Sequence, residues 1–532
     1  MHLIQPQLQS RRAFLRRAGQ LAFTGAALPT AINLAAMGEA AAFNAGNDYK
    51  ALVCIFLYGG NDYANTLIPY DAANYAAYQT IRGTTGSEAA NGIALAKADL
   101  ASMLMAGNPV SAIGQTGLQY AMHPSMTGLR DLYASGQAAV MLNCGPLVKP
   151  LTKTQYQASD RTTFPLPPKL FSHNDQQSIW QSSSPEGSTI GWGGNIGDLA
   201  MSSNTNSLFT CISVTGNAVF LSGDQALSYQ VGSGGAVRIN AVVANASPYG
   251  FQSVGAAMAQ LTTGTGRMNL LENEYNRVTQ RAVLAESSIT SAIAPAGWET
   301  AAYLSPFNTL RNDAIDPPPA IYDPSKLKSS LSDQLRMVAR LINARTNLGN
   351  KRQVFMVSLG GFDLHDDLIR NHTRNMARVS SAMKAFHDSL TTMGMADKVT
   401  TFTTSEFGRT LSSNGDGSDH GWGGHQFIVG GAVNGGAYYG YAPPVSVAGH
   451  GSDSAAIKAA PENQFHVGQG RLLPTTSVDQ YAATLAKWFG VEAADMTGPG
   501  RILPFLDNFG GSLNVNGVDF NYARDLGFMK AP

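Results

Sequence analysis

The stretch "QVFMVSLGGFDLH", residues 353–365, decides how the fold is read. Val354–Leu359 is a short apolar run of the kind that forms a buried strand, and Gly360-Gly361 stops it. Just beyond stand a carboxylate and an imidazole, Asp363 and His365, two residues apart. Upstream, residues 331–349 place Leu335, Val338, Leu341 and Ile342 on one helical face and lead into this run. Downstream, residues 375–393 carry Met376, Val379, Met383, Phe386, Leu390 and Met393 at spacings of three and four, which predicts an amphipathic helix. That helix leads into "KVTTFTTSEFG", a further strand. Helix and strand alternating in this way predict an α/β fold with a mostly parallel sheet. Ligands in such folds gather outside the carboxyl ends of the strands.

The same pattern extends outward. "ALVCIFLYGG" (51–60) reads as a buried strand, and "HPSMTGLRDLYASG" (123–136) as a helix before the strand "QAAVMLNCG" (137–145). "HQFIVGG" (425–431) is a further short strand, and "TTSVDQYAATLAKWFGV" (475–491) a closing helix. Residues 215–330 differ, with Gly/Ser stretches, the helical segment "NLLENEYNRVTQRAVLAESSI" and the proline cluster "DPPPAIYDP". They read as an insertion, a cap over the site being one form of it.

The chain has 532 residues, and its 36 Lys+Arg against 36 Asp+Glu leave no basic field, so nucleic acid is not an expected partner. Its three cysteines, Cys54, Cys144 and Cys211, each lie in an apolar run without a Cys-x-x-Cys, so small buried hydrophobes are expected. The N-terminus reads "SRRAFLRRAG" followed by a mildly apolar stretch that reaches Ala40–Ala42. This matches a twin-arginine export signal and makes a poor membrane span. Residues 1–42 are therefore set apart, leaving 43–532 as a single domain exported to the periplasm or beyond. The translocase is a partner during export, and the mature chain has no membrane span.

Five stretches join a strand end or loop to metal-type ligands. They hold Asp62; Ser172, His173 and Asp175; Asp363 and His365; Glu406 and Arg409; and Asp419, His420 and His425. Carboxylates and imidazoles without thiolates suit a divalent metal: zinc or manganese first, magnesium or calcium next. More than four candidates allow one ion or two, and paired ions serve displacement at phosphorus. Each member also has a plainer reading. Asp62 can start a turn, Asp363 can cap a helix, Glu406 and Arg409 can form a local ion pair, and Ser172 can be an N-cap. His372 and His387 read as surface or packing residues.

The stretches "SRRAFL", "LYGGNDYANTLIP", "SHNDQQSIW", "GGFDLH", "TTSEFGRT", "DHGWGGHQFIVGG" and "DQYAATLAKWFG" span nearly the whole chain. Together they resemble domain of unknown function family 1501, bacterial proteins with twin-arginine signals. That family is similar to a remote branch of the alkaline phosphatase–sulfatase superfamily. The resemblance implies a three-layer α/β/α sandwich with a metal centre at the strand ends. It implies Asp62, Asp363, His365, Glu406 and either His420 or His425 as ligands, with Asp419 beside them. Ser172 is the implied nucleophile with His173 as its neighbour, and Arg409 would steady the anion. The Cys-x-Pro-x-Arg motif of sulfatases is absent, because "CGPLVKP" lacks the arginine. The expected function is a periplasmic metal-dependent hydrolase of small anionic phosphate or sulfate esters. The alternative is an exported metal-binding or scaffold protein that kept the fold without catalysis.

Overall fold

The computed structural model describes residues 46–531, apart from 47, 84–91, 108–117, 185, 243–246, 265, 267–268, 313–325, 498–501 and 516–517. The stretch expected to be an export signal and the proline cluster thus lie outside the described residues. Ten strands form the main sheet: β1 (Lys50–Leu57), β2 (Ala138–Gly145), β3 (Cys211–Ser213), β4 (Tyr229–Gly232), β5 (Gly235–Ala236), β6 (Arg352–Leu359), β7 (Val399–Thr404), β8 (Gly424–Val429), β9 (Tyr438–Tyr439) and β10 (Thr476–Ser477). Their order is β9-β2-β8-β7-β1-β6-β3-β4-β5, with β10 on β2. β1 lies at the centre, parallel to β6 from Lys50 opposite Arg352 to Leu57 opposite Leu359, and parallel to β7 on its other edge. β8 runs against both of its neighbours and β5 against β4, so the sheet is mostly parallel, as expected.

The helices used below are α1 (Tyr63–Thr66), α2 (Thr127–Ala134), α3 (His173–Ser182), α4 (Trp192–Ala200), α5 (Gln252–Thr263), α6 (Leu270–Ile293), α7 (Ser330–Asn343), α8 (Leu368–Thr392) and α9 (Val478–Phe489). Successive β1 side chains point to opposite faces. Ala51, Val53, Ile55 and Leu57 enter one apolar core with residues of α2, α7 and α8. Leu52, Cys54 and Phe56 enter a second with residues of α4 and α9. A strand buried on both sides by helices is the centre of a three-layer α/β/α arrangement. The three cysteines are free and buried, and burial pushes the Cys54 thiol up to about 12.

α8 begins at Leu368, seven residues before the apolar period shows. Its first turns carry polar residues that are buried through hydrogen bonds instead of apolar contact. His372 Nε2 lies 3.2 Å from Asn61 Oδ1, and Asn375 Nδ2 donates to Gly361 O at 2.6 Å. His372 and His387 are both buried, so they are packing residues. In the insertion, Asn276 on α6 donates to Gly264 O at the end of α5 and ties the two helices into a hairpin. Ala285, Ile289 and Ile293 near the end of α6 join the main core, and Arg340 donates to Ile293 O. No helix among the described residues is long and apolar enough to cross a membrane.

Candidate metal centre

β1 and β6 lie side by side and both run out into Gly-Gly. Past their ends, Tyr58 N donates to Leu359 O and Phe362 N donates to Tyr58 O, which keeps the two exit segments together. Gly59 has φ +121°, and a Cβ there would stand 2.2 Å from Asp363 N. Only glycine permits that approach. The Gly59 N–H donates to Glu406 Oε1 at 2.8 Å, so the ends of β1, β6 and β7 are tied at one point. The loop before β8 folds back onto this point, with Arg409 and His420 paired as an isolated bridge. α3 approaches from the other side with His173 at its first turn.

Three imidazoles converge on the Asp363 carboxylate, and two of them are hydrogen-bonded to oxygen at Nδ1. His173 Nδ1 is 2.9 Å from Glu406 Oε1. His420 Nδ1 is 2.8 Å from Phe171 O. His365 Nδ1 is 3.4 Å from Asp419 Oδ1. An oxygen acceptor at Nδ1 makes that nitrogen the N–H and leaves Nε2 with a lone pair. The three Nε2 atoms face the carboxylate. His365 and His420 Nε2 lie 3.1 and 3.2 Å from Asp363 Oδ1 and 3.1 Å from each other, while His173 Nε2 lies 3.4 Å from Asp363 Oδ2. His173, Asp363 and His420 form a set whose ligand atoms all lie within 4.8 Å, and His365 touches two of its three members.

Ring nitrogens 3.1 Å apart and a carboxylate at 3.1–3.2 Å need a proton or a cation between them. His173 Nε2 is buried without a hydrogen-bond partner, which leaves it free to take a ligand. A tetrahedral zinc centre has ligand–ligand edges of about 3.3 Å, which the observed separations approach. Histidines that pass their second nitrogen to a carboxylate or carbonyl are the usual support of a metal site. His173, Asp363 and His420 could therefore hold one divalent ion, with His365 beside the last two. Access is graded across the cluster: the Asp363 side chain is 46% exposed and that of Glu406 is 0%. Ligand exchange is thus open on the Asp363 side, while the Glu406 support stays dry.

Local charges set the protonation tendencies. The Glu406 hydrogen bond raises the His173 pKa against the opposing effect of burial. Burial lowers that of His420. Burial pushes Asp363 upward, but the hydrogen bond and charge of Arg409 outweigh it and hold the carboxyl below the ordinary range.

Several residues expected at the site occupy other places. Asp62 is the N-cap of α1, and its second oxygen is held by the buried Arg82 guanidinium. His425 is buried inside β8, where its Nδ1 accepts from Asn143 N and its ring packs edge-on against Tyr63 and Tyr120. Burial pushes it down to about 3. Of the two histidines left open by the sequence, the cluster takes His420. Glu406 supports from outside, since its Oε1 already accepts from Gly59 N, His173 Nδ1 and Gln177 Nε2. Arg409 pairs with Asp363 at 2.8 Å, not with Glu406. Its other nitrogens donate to Ser418, its side chain is fully buried, and no face of the guanidinium is left to meet an anion. Ser172 caps α3 without a cap hydrogen bond, and its hydroxyl donates to Asp175 Oδ2 at 2.9 Å. Asp419 Oδ1 lies 3.4 Å from His365 Nδ1 and accepts from Asn414 Nδ2. The partners of the cluster come from segments 171–177 and 406–420, from Gly59 and from Arg471, and the described part of the insertion is anchored on α7.

Phe171, Gln177, Arg82 and Arg471 escape a search for ligand types. Phe171 contributes only its carbonyl, presented by a backbone at φ +73°. Arg471 donates from Nε to His420 O at 2.7 Å and lies over the Phe171 ring. Their only sequence signal is adjacency to "SHND" and to a Gly-rich loop.

No curated protein matches the chain. Among solved structures, one described as "Crystal structure of Ps i-CgsB in complex with k-i-k-neocarrahexaose" is similar at 9% identity and a TM-score of 0.31, over 87% of this chain and 77% of that one. The family described as "Protein of unknown function (DUF1501)" matches residues 49–451, a span that holds β1, β6, β7 and every member of the cluster, and the chain belongs to that family.

Proposed function

We propose that the protein is an exported, metal-dependent hydrolase of phosphate or sulfate esters. Asp363, His365 and His420 would hold the ion with His173, and zinc fits this donor set best, with manganese next. The observation that carries the reading is the convergence of three Nε2 atoms on one carboxylate, with the far nitrogens of His173 and His420 already hydrogen-bonded to oxygen. When bound, the ion would supply positive charge to an ester oxygen. The chain's own residues would set the geometry. Glu406 fixes the His173 ring, Phe171 O fixes His420, and Arg409 locks the Asp363 carboxylate against Gly59 O. The twin-arginine stretch Ser10–Leu15 supports export of an already folded and loaded protein.

The second reading, a metal-binding protein without turnover, is favoured by the engagement of Ser172 with Asp175 and of Arg409 with Asp363. Elemental analysis of natively exported protein, followed by a phosphate, phosphonate and sulfate ester panel, separates the two. Stoichiometric metal with turnover that is lost in His420→Ala supports the hydrolase. Metal without turnover supports the second reading, and protein without stoichiometric metal overturns both.

A further inference from the structure

Ten of the twelve large apolar side chains left exposed on the described surface fall between Leu227 and Leu284. Half of those ten lie on the first part of α6, and three of them, Leu271, Tyr275 and Val278, share one side of it. The opposite side of α6 is already covered, with Asn276 tied to the end of α5. Farther along, Ala285, Ile289 and Ile293 are buried in the main core. The helix is therefore anchored at its C-terminal end and braced by α5, and about 20 Å of it presents an uncovered apolar face.

We infer that this face pairs two copies of the chain, α6 against α6, in antiparallel orientation. Leu271, Tyr275, Val278 and Ala282 recur at spacings of four, three and four, the period of a coiled-coil seam. Glu274, Arg277 and Arg281 line one flank of that seam. In a two-fold pairing residue i meets j and j meets i. A single antiparallel register, with the axis between residues 276 and 277, sets Leu271 opposite Ala282 and Tyr275 opposite Val278. The same register places Glu274 of one copy between Arg277 and Arg281 of the other. A parallel pairing would set Glu274 of one copy beside Thr279 of the other instead of beside an arginine. Glu272 and Glu274 balance Arg277 and Arg281, and this half of the helix has no lysine, so it offers an anionic lipid surface no net attraction.

Sedimentation of the full chain over a range of concentrations tests the pairing. A dimer is expected, and Leu271→Glu with Val278→Glu weakens it about a hundredfold or more. The melting temperature of the monomer stays unchanged, because these side chains are 82% and 51% exposed. Reversing Arg277→Glu and Arg281→Glu also weakens the dimer, and adding Glu274→Arg to that pair restores it. A chain that stays monomeric throughout, or a dimer indifferent to every α6 variant, overturns the inference. So does a monomer that floats with anionic lipid vesicles and loses that binding in Leu271→Glu.

Discussion

At His420, the bond from Nδ1 to Phe171 O leaves Nε2 as the lone-pair nitrogen beside Asp363. His420→Ala removes that nitrogen without touching the sheet, so metal content is expected to fall to background by elemental analysis while the fold persists. Glu406→Gln keeps the shape of the support for His173 but removes its charge. Outer supports of this kind are worth about 10–100-fold in metal affinity, and a loss toward the lower end is expected in a competitive chelator titration. Ser172→Ala removes only the bond to Asp175, at a cost of about 1 kcal/mol or less. Ester turnover by that variant is expected to survive, and its abolition would restore Ser172 as a covalent nucleophile.

Among the elements, the exit of β1 and the start of α9 respond most sharply. Gly59→Ala drives a methyl into the backbone at Asp363 from a positive φ, so soluble yield and thermal midpoint should both drop, by about 3 kcal/mol or more. Asp479, in the first turn of α9, is buried and accepts from Ser183 Oγ and Phe505 N. Burial raises it from 3.8 to about 6 despite those bonds. The folded chain therefore holds a proton that the unfolded chain releases between those values. Stability falls as pH rises through that window, by at most about 3 kcal/mol. Asp479→Asn should flatten that part of the denaturation profile. β1, β6 and β7 were legible as elements because their apolar runs end in glycine or a charged residue. The start of α8 was not, because His372 and Asn375 are buried by hydrogen bonds that leave no apolar period.

For the whole molecule, an ion that binds only the folded state adds stability by linkage. Stripping it with a chelator should lower the unfolding free energy by about 2.7 kcal/mol at a free metal concentration a hundredfold above Kd. The same treatment of His420→Ala should change nothing, which separates loss of the ion from chelator effects elsewhere.

The amino-acid sequence by itself determined the α/β alternation, the mostly parallel sheet and the candidacy of Asp363, His365, His173 and His420. It did so because periodicity and strand-end glycines are local properties. Tertiary structure alone decided which candidates meet. Asp62 is held by Arg82 across a contact that spans twenty residues, and His425 is turned into the core by its position in β8. Phe171 and Glu406 are joined to the histidines only through folding, since His420 lies 249 residues from its carbonyl partner and His173 lies 233 from its carboxylate. Hydrogen bonds at such separations are fixed by packing of the sheet and its loops, and no spacing along the chain encodes them.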